Sequence, residues 1–221
     1  MNHHYSAEIT VPLGSGADLK GLLEGHETAT GLIVFVHDSG SSRFCVRNNQ
    51  ATQLLRNAGF ATLLMDLLTA SEAQTDALTH EQGFDIPLLT GRITGTLDWL
   101  ARYEKTGRLP IGLFAASMGA AAALSAAASQ PARVKAIVCT DGRPDLAADA
   151  LEAVQAPTLF LVGSDDTQVL RLNQMALKRI PAETQLIAIG GVTHVFEELG
   201  TLDQVAQHAA NWFNRCLLAQ D

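Results

Sequence analysis

Gly112-Leu113-Phe114-Ala115-Ala116-Ser117-Met118-Gly119-Ala120 decides how this chain folds. An apolar run over 111–115 predicts a buried strand, and the alanine-rich stretch over 118–129 predicts a helix. Between them stands Ser117, with Ala115 and Gly119 two places to either side. Strand, sharp turn and helix around one serine form a nucleophile elbow, in which strand and helix pass so close that only small residues fit. The serine at such a tip takes a strained backbone conformation, which is found more often at functional sites than elsewhere. An isolated Ser-x-Gly also reads as a helix N-cap. The rest of the chain decides between the two.

Outward from this stretch, apolar runs alternate with helical patterns. Two β-rich segments open the chain near 6–12 and 18–24. Strands follow at 32–36, 61–65, 111–115, 134–139, 158–162 and 185–189. Helices are predicted at 44–58, 85–103, 118–129, 168–179 and 202–217. In 85–103, Ile86, Leu89, Ile93, Leu97 and Leu100 recur at helical spacing. In the last helix Val205, Ala209, Trp212, Phe213 and Cys216 share the apolar face. The segment 67–84 is polar and reads as irregular. Gly14-Ser15-Gly16 reads as a hairpin turn, because a phosphate loop would need a following helix and a Lys-Ser/Thr. Alternation of this kind predicts a mostly parallel sheet with helices on both faces. Such sheets place their sites in loops at the carboxyl ends of strands.

Composition narrows the function classes. The 221 residues are 47% hydrophobic and 17% charged, which suits one domain over 1–221 with a sizeable core. A net charge of −8 without a basic run argues against nucleic acid or an anionic membrane as partner. The polar start Met1-Asn2-His3-His4 shows no signal peptide, and His3 and His4 read as a disordered end. No uncharged apolar stretch reaches the ~18 residues of a membrane span. Cys45, Cys139 and Cys216 are far apart with no Cys-x-x-Cys, so they read as reduced thiols in a cytoplasmic protein. No His/Cys/Asp/Glu cluster has metal-ligand spacing, and nothing suggests a dinucleotide, so no cofactor is expected.

Four strand-end loops carry reactive residues: His37-Asp38-Ser39-Gly40-Ser41, then Ser117, then Gly163-Ser164-Asp165-Asp166, then Gly190-Gly191-Val192-Thr193-His194. The order is serine, acid, histidine, each after its own strand. A serine hydroxyl needs a base to take its proton, histidine is the natural base near neutral pH, and a carboxylate orients its ring. The oxyanion that follows needs pre-aimed N–H donors.

At these residues the chain resembles the α/β-hydrolase family, with the nearest likeness to small dienelactone-hydrolase-like members and to hydrolase domains found beside phosphoribosyltransferases. The resemblance runs from about residue 17 to 217 and rests on His-x-Ser-Gly-Ser at 37–41, Ala-Ala-Ser-Met-Gly at 115–119, Gly-x-x-Asp at 163–166 and Gly-x-Thr-His at 191–194. It implies Ser117 as nucleophile, His194 as general base and Asp166 as orienting acid, with Asp165 as its rival. It implies the backbone N–H groups of Ser39 and Met118 as oxyanion hole, and a structural role for His37. Two positions depart from the family pattern, where Ala115 and Asp38 each stand in place of a usual glycine. Asp38 would oppose the oxyanion unless it points away or pairs with Arg43 or Arg47. Dienelactone hydrolases themselves use cysteine, so the serine implies ester hydrolysis in general.

The expectation is therefore a cytoplasmic serine hydrolase acting on a carboxylic ester or related small acyl compound. Residues 140–157 leave no room for a large cap domain, so an open pocket is expected. An acyltransferase, thioesterase or peptidase with the same triad, or a non-catalytic binding module on the same fold, are the alternatives. Among the remaining candidates, His26, His80 and His208 read as surface residues, Asp141 as a turn residue with Gly142 and Pro144, and Glu197 and Glu198 as facing solvent.

Overall fold

The computed structural model describes residues 3–14, 16–37, 42–192, 196 and 200–218. Eight strands form one sheet in the order β1-β2-β4-β3-β5-β6-β7-β8. They are β1 (His4–Leu13), β2 (Ala17–His26), β3 (Leu32–Val36), β4 (Ala61–Met65), β5 (Ile111–Ala116), β6 (Val134–Thr140), β7 (Thr158–Gly163) and β8 (Thr184–Ile189). The hairpin β1–β2 pairs antiparallel, as does β2 with β4, and every pair from β4 to β8 is parallel. This is the α/β-hydrolase fold, with no cap domain among the described residues.

Burial follows from the position of each strand. All residues of β3, β4 and β7 are buried, as expected of parallel strands covered on both faces. The edge strand β1 instead alternates toward solvent. Helices α1 (Val46–Asn57) and α6 (Thr201–Leu218) cover one face of the sheet. Helices α3 (Ile86–Leu100), α4 (Gly119–Ser129) and α5 (Thr167–Leu177) cover the other, with the 3-10 segment Pro144–Ala153. The apolar face of α6 lies where its periodicity predicts, apart from Cys216, which is only half-buried. Its Phe213 is fully buried, worth about 1.5–3 kcal/mol. It lies so close to β5 that a Cβ at Gly112 would fall 2.6 Å from its ring.

Three expectations change. Residues 67–84 are not irregular: helix α2 (Ala70–Thr79) occupies most of the segment, followed by a 3-10 turn at Gln82–Phe84. Helix α2 starts in a reciprocal capping box between Thr69 and Glu72, which satisfies two helix-end donors. It is largely solvent-facing, so its apolar periodicity is weak. Second, His4 lies inside β1, paired with His26. Third, His26 is half-buried with its ring edge-on to that of His4, centroids 5.2 Å apart, so it is not a free surface residue.

Candidate active site

Ser117 sits at φ 52°, in the left-handed region. A non-glycine residue there is uncommon and costs about 1–3 kcal/mol unless its surroundings fix it. They do. The Ser117 N–H donates to the Thr140 carbonyl at 3.2 Å, and its own carbonyl accepts from Ala120 at 3.2 Å and from Arg143 at 3.1 Å. Both backbone polar groups of the tip are thus tied, to the end of β6 and to the start of α4.

The small residues on either side have a steric reason. A Cβ at Gly119 would fall 2.5 Å from the Val36 carbonyl oxygen, closer than nonbonded atoms approach. Ala115 is fully buried between Val36 on β3 and Cys139 on β6. Met118 is already helical, at φ −63° and ψ −30°, and begins α4 as its N-cap. The first N–H groups of a helix lack intrahelical acceptors and carry its positive dipole end. Ser117 and the Met118 N–H are therefore brought together at the carboxyl edge of the sheet.

The turn after β7 is built from hydrogen bonds. Ser164 N–H donates to Ile189 at 2.9 Å and Asp165 N–H to Val192 at 3.1 Å, which ties the exit of β8 to this turn. Asp166 is half-buried and caps α5, its Oδ1 accepting from the Val169 N–H at 2.9 Å. Asp165 is exposed, and its Oδ1 accepts from the Ser164 hydroxyl at 2.8 Å. His194, Ser39 and Asp38 lie outside the described residues, as do Glu197 and Glu198.

At the ends of β3 and β4 a charged cluster forms. His37 is buried, its Nε2 3.8 Å from Asp66 Oδ1. Asp66 also accepts from the Arg43 N–H at 2.7 Å and pairs with the Arg43 guanidinium. Arg43, one of the two partners considered for Asp38, is thus engaged by a different carboxylate. The cluster borders a cavity of about 140 Å³, lined also by Leu67, Leu68 and Ala73. Nothing in the sequence singled out Asp66, an acid one residue past a strand.

The other sequence candidates find their places. His80 is exposed and ends α2 in the left-handed conformation, and His208 is half-buried on α6. Asp141 does make a turn, but it is 3% exposed rather than on the surface. None of the three cysteines is joined in a disulfide, and burial pushes the Cys139 thiol well above its ordinary range. Among the described residues no group of three His, Cys, Asp or Glu could hold a metal ion. No described helix is long and apolar enough to cross a membrane.

Known proteins are similar to this chain in sequence and fold. The family model described as "Dienelactone hydrolase family" matches residues 19–217. A dienelactone hydrolase from Anabaena variabilis is 44% identical, with a TM-score of 0.94 over 97% of this chain and 99% of that one. Est1E from Butyrivibrio proteoclasticus shares the fold, with a TM-score of 0.79 at 15% identity over 96% of this chain and 100% of that one. Proteins of two Mycobacterium tuberculosis strains, provisionally named phosphoribosyl transferases, are 50% identical over 206 residues. That match spans 93% of this chain but 45% of theirs, so the chain spans about half the length of these relatives. A match over most of the chain, with a strand-to-helix serine at its centre, places this chain in the dienelactone hydrolase family.

Proposed function

We propose that the protein is a serine hydrolase that cleaves a carboxylic ester, or a related small acyl compound, through an acyl-enzyme on Ser117. The observation that carries this reading is the left-handed φ of 52° at Ser117, at the tip between β5 and α4. In the proposed reaction Ser117 Oγ attacks the substrate carbonyl while His194 takes its proton. The C–O bond to the leaving alcohol breaks as His194 returns that proton to it. Water, deprotonated by His194, then attacks the acyl-enzyme; the acyl C–Oγ bond breaks as His194 returns the proton to Ser117 Oγ, and the acid is released. The N–H groups of Met118 and Ser39 stabilise the oxyanion, and donors of this kind are each worth about 10²–10³ in rate.

Asp166 orients the imidazole and stabilises its charged form. Its partial burial supports it over Asp165, which is exposed and bonded to its own neighbour. The short 3-10 segment at Pro144–Ala153, in place of a cap, supports small or loosely selected substrates. Three cysteines without a disulfide are compatible with work in the reducing cytoplasm, and the net charge of −8 argues against nucleic acid or an anionic membrane as partner.

The test is turnover of short-chain aryl esters by the wild type, Ser117→Ala and His194→Ala. Hydrolysis by the wild type that falls about 10⁴-fold or more in each variant is expected. Equal turnover in wild type and Ser117→Ala would refute the reading. Free acid as product identifies hydrolysis, and an acylated added alcohol or thiol identifies transfer.

A further inference from the structure

Asn173 on α5 is fully buried. Its side-chain amide donates to the Gly142 carbonyl and to the Val169 carbonyl, both at 2.9 Å. Both partners are carbonyls, so the amide must present its nitrogen to them. Its Oδ1 is buried and accepts no hydrogen bond among the described residues. An orphaned buried acceptor costs stability that an apolar side chain would not forfeit, so the stability of the core does not account for an amide here. Its N–H groups do, through the turn they hold. The Gly142 carbonyl and the Arg143 N–H belong to one planar peptide group and point opposite ways. That Arg143 N–H donates to the Ser117 carbonyl at 3.1 Å. The Ser117 carbonyl and the Met118 N–H again share one peptide group, so fixing the first aims the second. From α5 to the Met118 N–H the path is thus two hydrogen bonds and two rigid planes, each group donating to the next. Hydrogen bonds in such a series polarise one another. The first plane has little slack, because a Cβ at Gly142 would fall 2.5 Å from the Ala120 Cβ on α4.

We propose that Asn173 is a positioning residue of the oxyanion hole: through the Gly142–Arg143 peptide it holds the Ser117–Met118 peptide, so that the Met118 N–H stays aimed at the developing oxyanion. The inference rests on the hydrolase reading and on the part that reading gives to the Met118 N–H. A donor aimed before the reaction begins needs no reorganisation when charge develops. Asn173 has no exposed surface and meets no substrate, so its effect falls on the transition state rather than on substrate binding. The Ala120 N–H also donates to the Ser117 carbonyl, at 3.2 Å. Loss of the Asn173 amide therefore loosens the Ser117–Met118 peptide without releasing it.

The test is the steady-state kinetics of the wild type, Asn173→Ala and Asn173→Ser on an aryl ester, beside inhibition by an aryl trifluoromethyl ketone. The ketone's adduct with a serine carries an oxyanion and so mimics the transition state. Alanine removes the donor. Serine keeps a hydroxyl for the Val169 carbonyl one turn back, but its side chain is too short for the Gly142 carbonyl. In both variants kcat falls about five- to tenfold, less than the roughly 10²–10³ lost with an oxyanion donor itself. KM is unchanged, and the inhibition constant of the ketone rises by the factor that kcat loses. Wild-type kcat in either folded variant, or a lowered kcat with wild-type affinity for the ketone, would overturn the inference. Fluorophosphonate labelling of wild-type Ser117 separates the two levels. With labelling and unchanged ketone affinity, only the role of Asn173 falls; without labelling of the folded wild type, the hydrolase reading falls and this inference with it.

Discussion

The turns at Ser117 and Asp166 stand two strands apart on the same edge of the sheet, yet they are made by different forces. The first is a steric device. Strand and helix pass so close on either side of Ser117, at φ 52°, that Gly119 has no room for a Cβ against the Val36 carbonyl. The second is a hydrogen-bonding device, an aspartate capping a helix at φ −87° with no unusual backbone demand at that residue. Steric devices restrict residue type over several consecutive positions and leave a strong mark in sequence. Hydrogen-bonding devices accept any of Asp, Asn, Ser or Thr and leave a faint one.

That difference can be broken at either end. The largest structural effect is expected from Gly119→Ala. Its new Cβ meets backbone rather than a flexible side chain, so the elbow must shift, at a cost of about 1–3 kcal/mol or more. Thermal denaturation should show the loss, and ester turnover should fall with it. A variant with wild-type Tm and activity would remove the steric account. At the other turn, Asp166 should separate stability from chemistry. Asp166→Ala loses the cap, about 1 kcal/mol, whereas Asp166→Asn keeps it. Both lose the carboxylate, and kcat should fall by up to about 10⁴-fold in each. If Asp166→Asn retains full activity while Asp165→Asn does not, the rival acid carries the role.

The same contrast explains what was legible in the sequence. The order of strands and helices was legible because the central strands are continuous apolar runs and α3 and α6 have regular stripes. The elbow was legible because it needs small residues at fixed offsets from Ser117. Helix α2 escaped because it faces solvent, although its Thr69-x-x-Glu72 capping box was there to be read. The half-buried state of His26 depends on His4, 22 positions earlier and opposite it in the β1–β2 register. The burial of Asp141 escaped for a related reason. Asp-Gly-x-Pro is an ordinary turn signal, and only the packing of β5, β7 and α5 around it puts the carboxylate inside. The pairing of Arg43 with Asp66 joins residues 23 apart, beyond the reach of any local pattern.

The central claim is that Ser117 is an activated nucleophile, and intact-mass measurement after fluorophosphonate treatment tests it most directly. The account predicts one adduct on the wild type, mapping to the Ser117 peptide, and none on Ser117→Ala. No adduct on the folded wild type, or an adduct that persists in Ser117→Ala, would contradict it.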